Sequence, residues 1–279
     1  MKLTSENISI IIPTYNRESL LPKAIDSLLA QTYRHFEIII VDDGSTDNTR
    51  ASLKKYHNDR IRYVYQENSG PAAARNRGIR EAQYSFLAFL DSDDWFAPGK
   101  LEIQLTRMQE EPYYLISHTD EIWYRRGKLL NQKKRHHKPG GYIFARCLEL
   151  CTVSMSTVMV RRDLFDTIGL FDETLPCCED YDFWLRASIE HPFLKIDEPL
   201  TLKDGGRSDE ISVQYRVGMD KYRIASICNL LEKESLSPEQ IALAKKELVH
   251  KSRVYGNGCI KHGRPEEGQY YLDIAASVV

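Results

Sequence analysis

The sequence predicts an α/β fold, a mainly parallel sheet flanked by helices with a C-terminal helical extension, and three observations predict it. Short β-rich runs alternate with helical patterns over the first hundred residues. Acidic clusters follow the second and fourth of those runs. From Ser212 onward the pattern is helical, broken at 235–238 and again at 263–265.

Residues 8–12 form a continuous apolar run and read as a buried strand. Residues 20–29 place Leu21, Ile25, Leu28 and Leu29 at helical spacing. A second buried strand covers 36–41, and Asp42-Asp43-Gly44-Ser45 follows as a loop. Asp47 suits the N-cap of a helix reaching Tyr56. A third strand covers 61–65, and Pro71 fits the first turn of a helix carrying Ala72, Ala73, Ala74 and Arg75. The fourth strand, 86–90, ends at Asp91-Ser92-Asp93-Asp94. Such sheets bind ligands beyond the carboxyl ends of their strands. The two acidic clusters, far apart in sequence, are thereby expected at one rim.

After Pro98 the rhythm changes. A helix over 100–110 leads to a strand over 113–117 and a hairpin around Gly127. Residues 179–189 read as a helix, followed by two short strands near Phe193 and Leu200. The division expected is a catalytic domain over 1–205 and a helical extension over 206–279, its last forty residues or so a helical hairpin packed on the catalytic part.

With 42% hydrophobic and 28% charged residues, the 279-residue chain reads as an ordinary globular protein. Its formal net charge of -2 argues against nucleic acid as a partner. Six cysteines without CxxC spacing suggest neither a zinc ribbon nor a thioredoxin-type site, and read as thiols in a reducing cytosol. No apolar run approaches the roughly 20 residues of a membrane span, so a cytoplasmic location is expected.

Asp91 and Asp93 stand one residue apart at a strand end. Two close carboxylates repel unless a cation or protons relieve them, and oxygen-only ligands suit Mg²⁺ or Mn²⁺. The same triplet can be a solvated acidic turn; its place in the strand–helix series favours the metal. Of Asp42 and Asp43, one is expected to close an Asx turn, leaving the other free to accept from a nucleobase or ribose. Glu179 and Asp180 open a helix where the dipole favours anions. They read as caps, or as a general base kept ionised at neutral pH.

Taken in order, Pro13-Thr14-Tyr15-Asn16, Val41-Asp42-Asp43-Gly44-Ser45, Ala74-Arg75-Asn76, Asp91-Ser92-Asp93 and Glu179-Asp180-Tyr181-Asp182 resemble the family 2 inverting glycosyltransferases of the GT-A (Rossmann-like) fold. The resemblance covers about residues 8–205, and the tail looks like a bacterial type acting in surface-polysaccharide assembly. It implies that Pro13, Thr14 and Tyr15 line the nucleotide pocket, with Asp43 reading the base and Arg75 near base or diphosphate. It places Asp91 at the ribose or metal shell and Asp93 on the metal, Mn²⁺ or Mg²⁺. Asp180 becomes the general base. The implied donor is a nucleotide diphosphate sugar, UDP by default, and the acceptor a saccharide or lipid-linked molecule.

This sequence departs from the family where many relatives carry a histidine just after Gly206; Arg207 stands there. It also lacks the QxxRW signature of processive synthases, so a single-addition enzyme is expected. The stretch 125–138 holds Arg125, Arg126, Lys128, Lys133, Lys134, Arg135 and Lys138 without an acid. It reads as a solvated loop, or as an acceptor-side patch making peripheral contact with anionic lipid at the inner face of the membrane. Two rivals are a sugar nucleotidyltransferase, which would open on a glycine-rich loop absent at 13–16, and a degenerate transferase serving as a binding or scaffold module. The survival of Asp43, Asp91, Asp93 and Asp180 favours an enzyme.

Overall fold

A computed structural model of the chain describes residues 6–133 and 136–278. The first half alternates strand and helix as the periodicity predicts. β1 (Ile8–Thr14), β2 (Phe36–Asp43), β3 (Ile61–Gln66) and β4 (Phe86–Phe89) pair in parallel in the order β3-β2-β1-β4. The connecting helices are α1 (Leu21–Leu29), a short α2 (Thr49–Ser52) and α3 (Gly70–Glu81). Side chains alternate across a strand. Ile8, Ile10 and Ile12 therefore enter one core with α1, while Ile11 joins Ile39, Val41, Leu87 and Phe89 in the other. Burial on both faces is why these strands read as unbroken apolar runs.

The second half completes the sheet. β5 (Asp94–Phe96), α4 (Lys100–Glu110), β6 (Ile116–Arg125), β7 (Lys128–Leu130), α5 (Phe144–Glu149), β8 (Val158–Arg161), α6 (Asp163–Ile168), α7 (Glu179–Ala187) and β9 (Phe193–Gly205) follow in that order. The sheet continues β4-β8-β6-β9-β5, with β7 on β6. Its long ladders are parallel; each of the four antiparallel ones is three residue pairs long. The strand expected at 113–117 starts later and runs to Arg125, and β8 was not foreseen. The two short strands expected near Phe193 and Leu200 are one strand. Its ladder with β6 shifts register beside Asp120 and Pro199, a bulge that accommodates the missing proline N–H.

β9 ends at Gly205, and only helices follow: α8 (Ile211–Gln214), α9 (Met219–Lys233), α10 (Pro238–Lys261) and α11 (Pro265–Ser277). The break at 235–238 carries a capping box. Ser237 Oγ accepts from Gln240 N at 3.2 Å, and Gln240 Oε1 accepts from Ser237 N at 2.9 Å. Ile224, Ile227, Leu230, Ala244 and Leu248 enter the same core as Tyr181 and Trp184, so the tail packs on α7 rather than standing apart. Among the described residues no helix is long and apolar enough to cross a membrane.

Close approach of α3 to β1 depends on Gly78, where a Cβ would meet Ile11 Cγ2 at 2.3 Å. Lys100, at the start of α4, is fully buried; its Nζ donates to Gln104 Oε1 and, at 3.0 Å, to the Thr157 carbonyl. Burial pulls this lysine down to about 7. Between that value and its ordinary one, near 10.5, the unfolded chain binds a proton that the folded chain does not. Stability should therefore rise with pH above about 7, by at most about 1.4 kcal/mol per pH unit from this group. Urea unfolding of Lys100→Met between pH 7 and 9.5 should show a shallower rise than the native chain; an identical slope would refute the assignment.

Candidate active site

The loops after β1 and β2 are clasped together. Asn16 adopts a left-handed conformation (φ 53°), its N donates to Ser45 Oγ at 2.9 Å, and its Oδ1 accepts from Thr46 N at 2.8 Å. Arg17 N donates to Thr49 Oγ1 at 2.8 Å. Gly44 (φ 82°) lies so close to the backbone that a Cβ would sit 2.8 Å from Asn68 N. In this clasp Pro13 is half-buried, Thr14 is buried with its Oγ1 unpartnered, and Tyr15 is 45% exposed.

Both aspartates at the end of β2 are occupied, which corrects the expectation that one is free. Asp42 Oδ1 accepts from Ser45 N at 2.8 Å, the expected Asx turn, and Oδ2 accepts from the Tyr63 hydroxyl at 2.7 Å. Asp43, 4% exposed, accepts from Gln66 Nε2 at 2.7 Å, Ser69 N at 2.9 Å and Gly70 N at 2.8 Å. That fills most of the roughly four acceptor sites of a carboxylate. Its bonds tie the start of α3 to β2.

Asp91 and Asp93 flank the end of β4, with side chains 27% and 24% exposed. Asp91 N donates to Ser156 Oγ at 3.0 Å, and that hydroxyl donates to Asp94 Oδ2 at 2.6 Å. Lys203 on β9 lies 3.2 Å from Asp94 Oδ2 and 4.0 Å from Asp91 Oδ2. Burial and the neighbouring Asp93 and Asp91 push the Asp94 carboxyl up to about 8 against the pull of Lys203. Asp91 is different: burial raises it, but Arg75 and Lys203 outweigh that and hold it below its usual range. Asp93 is paired with Arg207, which also bonds the Asp204 carbonyl. Burial and Asp91 nevertheless keep Asp93 above its ordinary value, despite Lys203, Arg207 and Arg17.

Arg75 joins this cluster to the far half of the fold. One terminal nitrogen lies 2.9 Å from Asp91 Oδ1; the other pairs with Glu179, which opens α7. Arg75 and Glu179 are both buried, and burial raises the Glu179 carboxyl in spite of its partner. Both terminal guanidinium nitrogens of Arg75 are thus spent on carboxylates. Asn76 adds a second tie: its amide donates to the Phe171 carbonyl at 2.9 Å and accepts from Phe171 N at 3.0 Å. Asp180, next to Glu179, is half-buried and accepts from Tyr181 N at 2.7 Å, a partial capping role. One rim thus gathers Asp91, Asp93, Glu179 and Asp180.

The basic stretch does not form one surface. Lys138 is buried, pairs with Glu121 at 3.3 Å and donates to the Thr152 carbonyl at 3.2 Å. Arg125, Arg126 and Lys128 are exposed on the β6–β7 hairpin, while Lys134 and Arg135 lie outside the described residues. Lys203, Ser156 and the Arg75–Glu179 pair were missed from sequence. Lys203 was legible only as a lone cation in an otherwise mixed strand.

Hard oxygen donors that are partly exposed, as at Asp91 and Asp93, fit a divalent cation. No group of three or more His, Cys, Asp or Glu side chains among the described residues is arranged to hold one alone.

The family model for glycosyl transferase family 2 matches residues 9–169, across β1 to α6 and the whole Asp91–Asp93 region. The chain belongs to this family. An uncharacterized glycosyltransferase of Rickettsia felis is 38% identical over 206 residues, covering 71% of this chain and 33% of the relative. The chain spans a similar share, 33% and 29%, of the relatives from Rickettsia conorii and Rickettsia bellii. WfgD of Escherichia coli, a UDP-Glc:alpha-D-GlcNAc-diphosphoundecaprenol beta-1,3-glucosyltransferase, is 32% identical, covering 64% of this chain and 68% of WfgD. Among solved structures, S. aureus TarS 1-349 in complex with UDP-GlcNAc has a TM-score of 0.67 at 19% identity, covering 97% of this chain and 91% of that one. The mannosyltransferase PcManGT from Pyrobaculum calidifontis, with GDP-Man and Mn2+, has a TM-score of 0.65 at 15% identity, covering 97% and 73%. The fold of this family 2 member is accordingly GT-A.

Asp43→Ala removes three hydrogen bonds to a buried carboxylate. It should destabilise the chain by about 1–3 kcal/mol. Thermal unfolding measures this, and an unchanged midpoint would show that Asp43 does not anchor α3.

Proposed function

We propose that this family 2 member is a metal-dependent, inverting glycosyltransferase. It moves a sugar from a nucleotide diphosphate sugar, UDP by default, to an acceptor hydroxyl in bacterial surface-polysaccharide assembly. The observation that carries the reading is the convergence, through Arg75, of Asp91 with Glu179 and its neighbour Asp180 at one rim. The UDP-GlcNAc in the TarS complex and the UDP-Glc in the name of WfgD support the donor class. The diphosphoundecaprenol in that name supports a lipid-linked saccharide acceptor, met at the inner face of the membrane.

On this reading Pro13, Thr14 and Tyr15 line the nucleotide side, with the unpartnered Thr14 hydroxyl a ready donor or acceptor. Asp43, with one acceptor site left beside its three hydrogen bonds, reads the base. Asp93, with Asp91, would hold Mn²⁺ or Mg²⁺. When bound, the ion supplies neutralising charge for the departing diphosphate. Arg207, fixed beside Asp93, presents a permanent positive charge on the same side. Asp180 accepts the proton of the acceptor hydroxyl, whose oxygen attacks the anomeric carbon opposite the leaving group. One displacement inverts the configuration.

Glu179, buried against Arg75, is less suited to that exchange than its half-exposed neighbour. We assign it to positioning. The division of the chain into a catalytic part to residue 205 and a helical extension beyond is carried forward in the same proposal.

A panel of nucleotide sugars screened by thermal shift with and without Mn²⁺ identifies the donor, since specific binding stabilises the fold. Asp180→Asn should then lower turnover about 10²–10⁴-fold with nucleotide affinity largely retained; near-normal transfer would remove Asp180 from its role. Asp93→Ala should abolish the Mn²⁺-dependent part of donor binding in calorimetry. Equal affinity with and without the ion, in the native chain, would end the metal assignment.

A further inference from the structure

The strand registers place a graded row of side chains on the active-site face of the sheet. Asp94 on β5 is directly opposite Lys203 on β9, Lys203 is opposite Trp123 on β6, and Trp123 is opposite Leu130 on β7. Directly paired residues share a sheet face. The row therefore runs from a carboxyl through a cation to an indole and an aliphatic side chain. Four neighbouring strands span about 14 Å at the usual strand spacing. At its inner end Lys203 also reaches Asp91, so the row leads directly out of the proposed transfer site.

Trp123 is held rather than left to pack at random. Its Nε1 donates to Glu121 Oε1 at 2.7 Å, and that carboxylate is anchored by Lys138 at 3.3 Å. His136 meets the indole edge-on, with ring centroids 4.8 Å apart. The indole stays partly exposed and Leu130 is 42% exposed, so apolar surface lies open beside the charged rim. Trp95 and Tyr124 stack on the opposite face, against Lys23, and do not belong to this row.

We infer that Trp123 is the acceptor subsite, the platform on which the acceptor's sugar ring stacks while its hydroxyl faces Asp180. The inference deepens the glycosyltransferase reading and rests on it. A pyranose ring has an apolar face of C–H groups and a polar edge. Here the indole meets the face. Lys203 is already held by Asp94, Asp91 and, at 2.8 Å, the Ser154 hydroxyl, so the partly exposed indole is the surface of the row left for a ligand, and the C–H face of a sugar ring fits it. The remaining apolar surface at Leu130 then lies toward whatever group the acceptor sugar carries.

Two measurements test it, using alkyl glycosides of glucose, galactose and N-acetylglucosamine as acceptor probes and the donor found by thermal shift. In transfer assays Trp123→Ala should raise acceptor KM about tenfold or more. Donor affinity by calorimetry should stay unchanged, and Trp123→Phe should restore part of the loss. In fluorescence without donor, the best glycoside should change tryptophan emission in the native chain but not in Trp123→Phe. An acceptor KM unchanged in Trp123→Ala, or the same emission change in Trp123→Phe, overturns the subsite. The parent reading fails differently, by the native chain releasing no nucleotide from any donor, and the fluorescence result still decides the subsite in that case.

Discussion

A buried guanidinium between two carboxylates is the interaction on which the rest of the site depends. Arg75 bridges Asp91, just past β4, and Glu179, at the start of α7, residues far apart in sequence. Such a bridge contributes little net stability, because desolvating three charged groups offsets much of their attraction. Its effect is positional. With the arginine removed, two buried or half-buried carboxylates would repel and the two halves of the fold would lose their common point. The glycines and caps around α3 serve that placement: Gly78 lets the helix close on Ile11, Asp43 fixes its first turn, and Asn76 clips the loop that leads to α7.

The same balance explains the chemistry the rim can support. Arg75 and Lys203 hold Asp91 below its usual range against burial, whereas burial and the neighbouring Asp91 keep Asp93 above its own even with Arg207 beside it. Asp94 is removed from this contest by burial; its bonds to Ser156 and Lys203 hold the backbone of the acidic turn. The cluster therefore divides by partner: Asp91 on Arg75 and Lys203, Asp93 on Arg207, and Asp94 on Ser156 and Lys203. Arg207, paired with Asp93, adds a fixed positive charge beside the cluster.

Much of this was legible in the sequence, for a physical reason. β1, β2 and β4 are buried on both faces, so their apolar runs and the acidic residues after β2 and β4 announce both the strands and the rim. The later elements were harder to read. Pro199 splits the apparent pattern of β9, although a bulge carries the strand through it. Asp43 looked free because its partners, the backbone amides of Ser69 and Gly70, come from a helix start that spacing alone does not bring near. Lys138 looked like part of a basic patch because its partner Glu121 lies outside the stretch, on β6. Partnerships between distant residues are set by packing, and a single sequence displays only the partners, one at a time.

A double-mutant cycle on Arg75 and Glu179 tests the central claim most directly. Stability to urea would be measured for Arg75→Met, Glu179→Leu and the pair. Arg75→Met leaves Glu179 buried without its partner and should cost about 3–5 kcal/mol; Glu179→Leu leaves Arg75 with Asp91 alone and should cost less. The double variant should lose much less than the sum, a coupling of about 2 kcal/mol or more. Losses that add to within about 0.5 kcal/mol would show the two residues to be independent, and would contradict the view that Arg75 assembles the site.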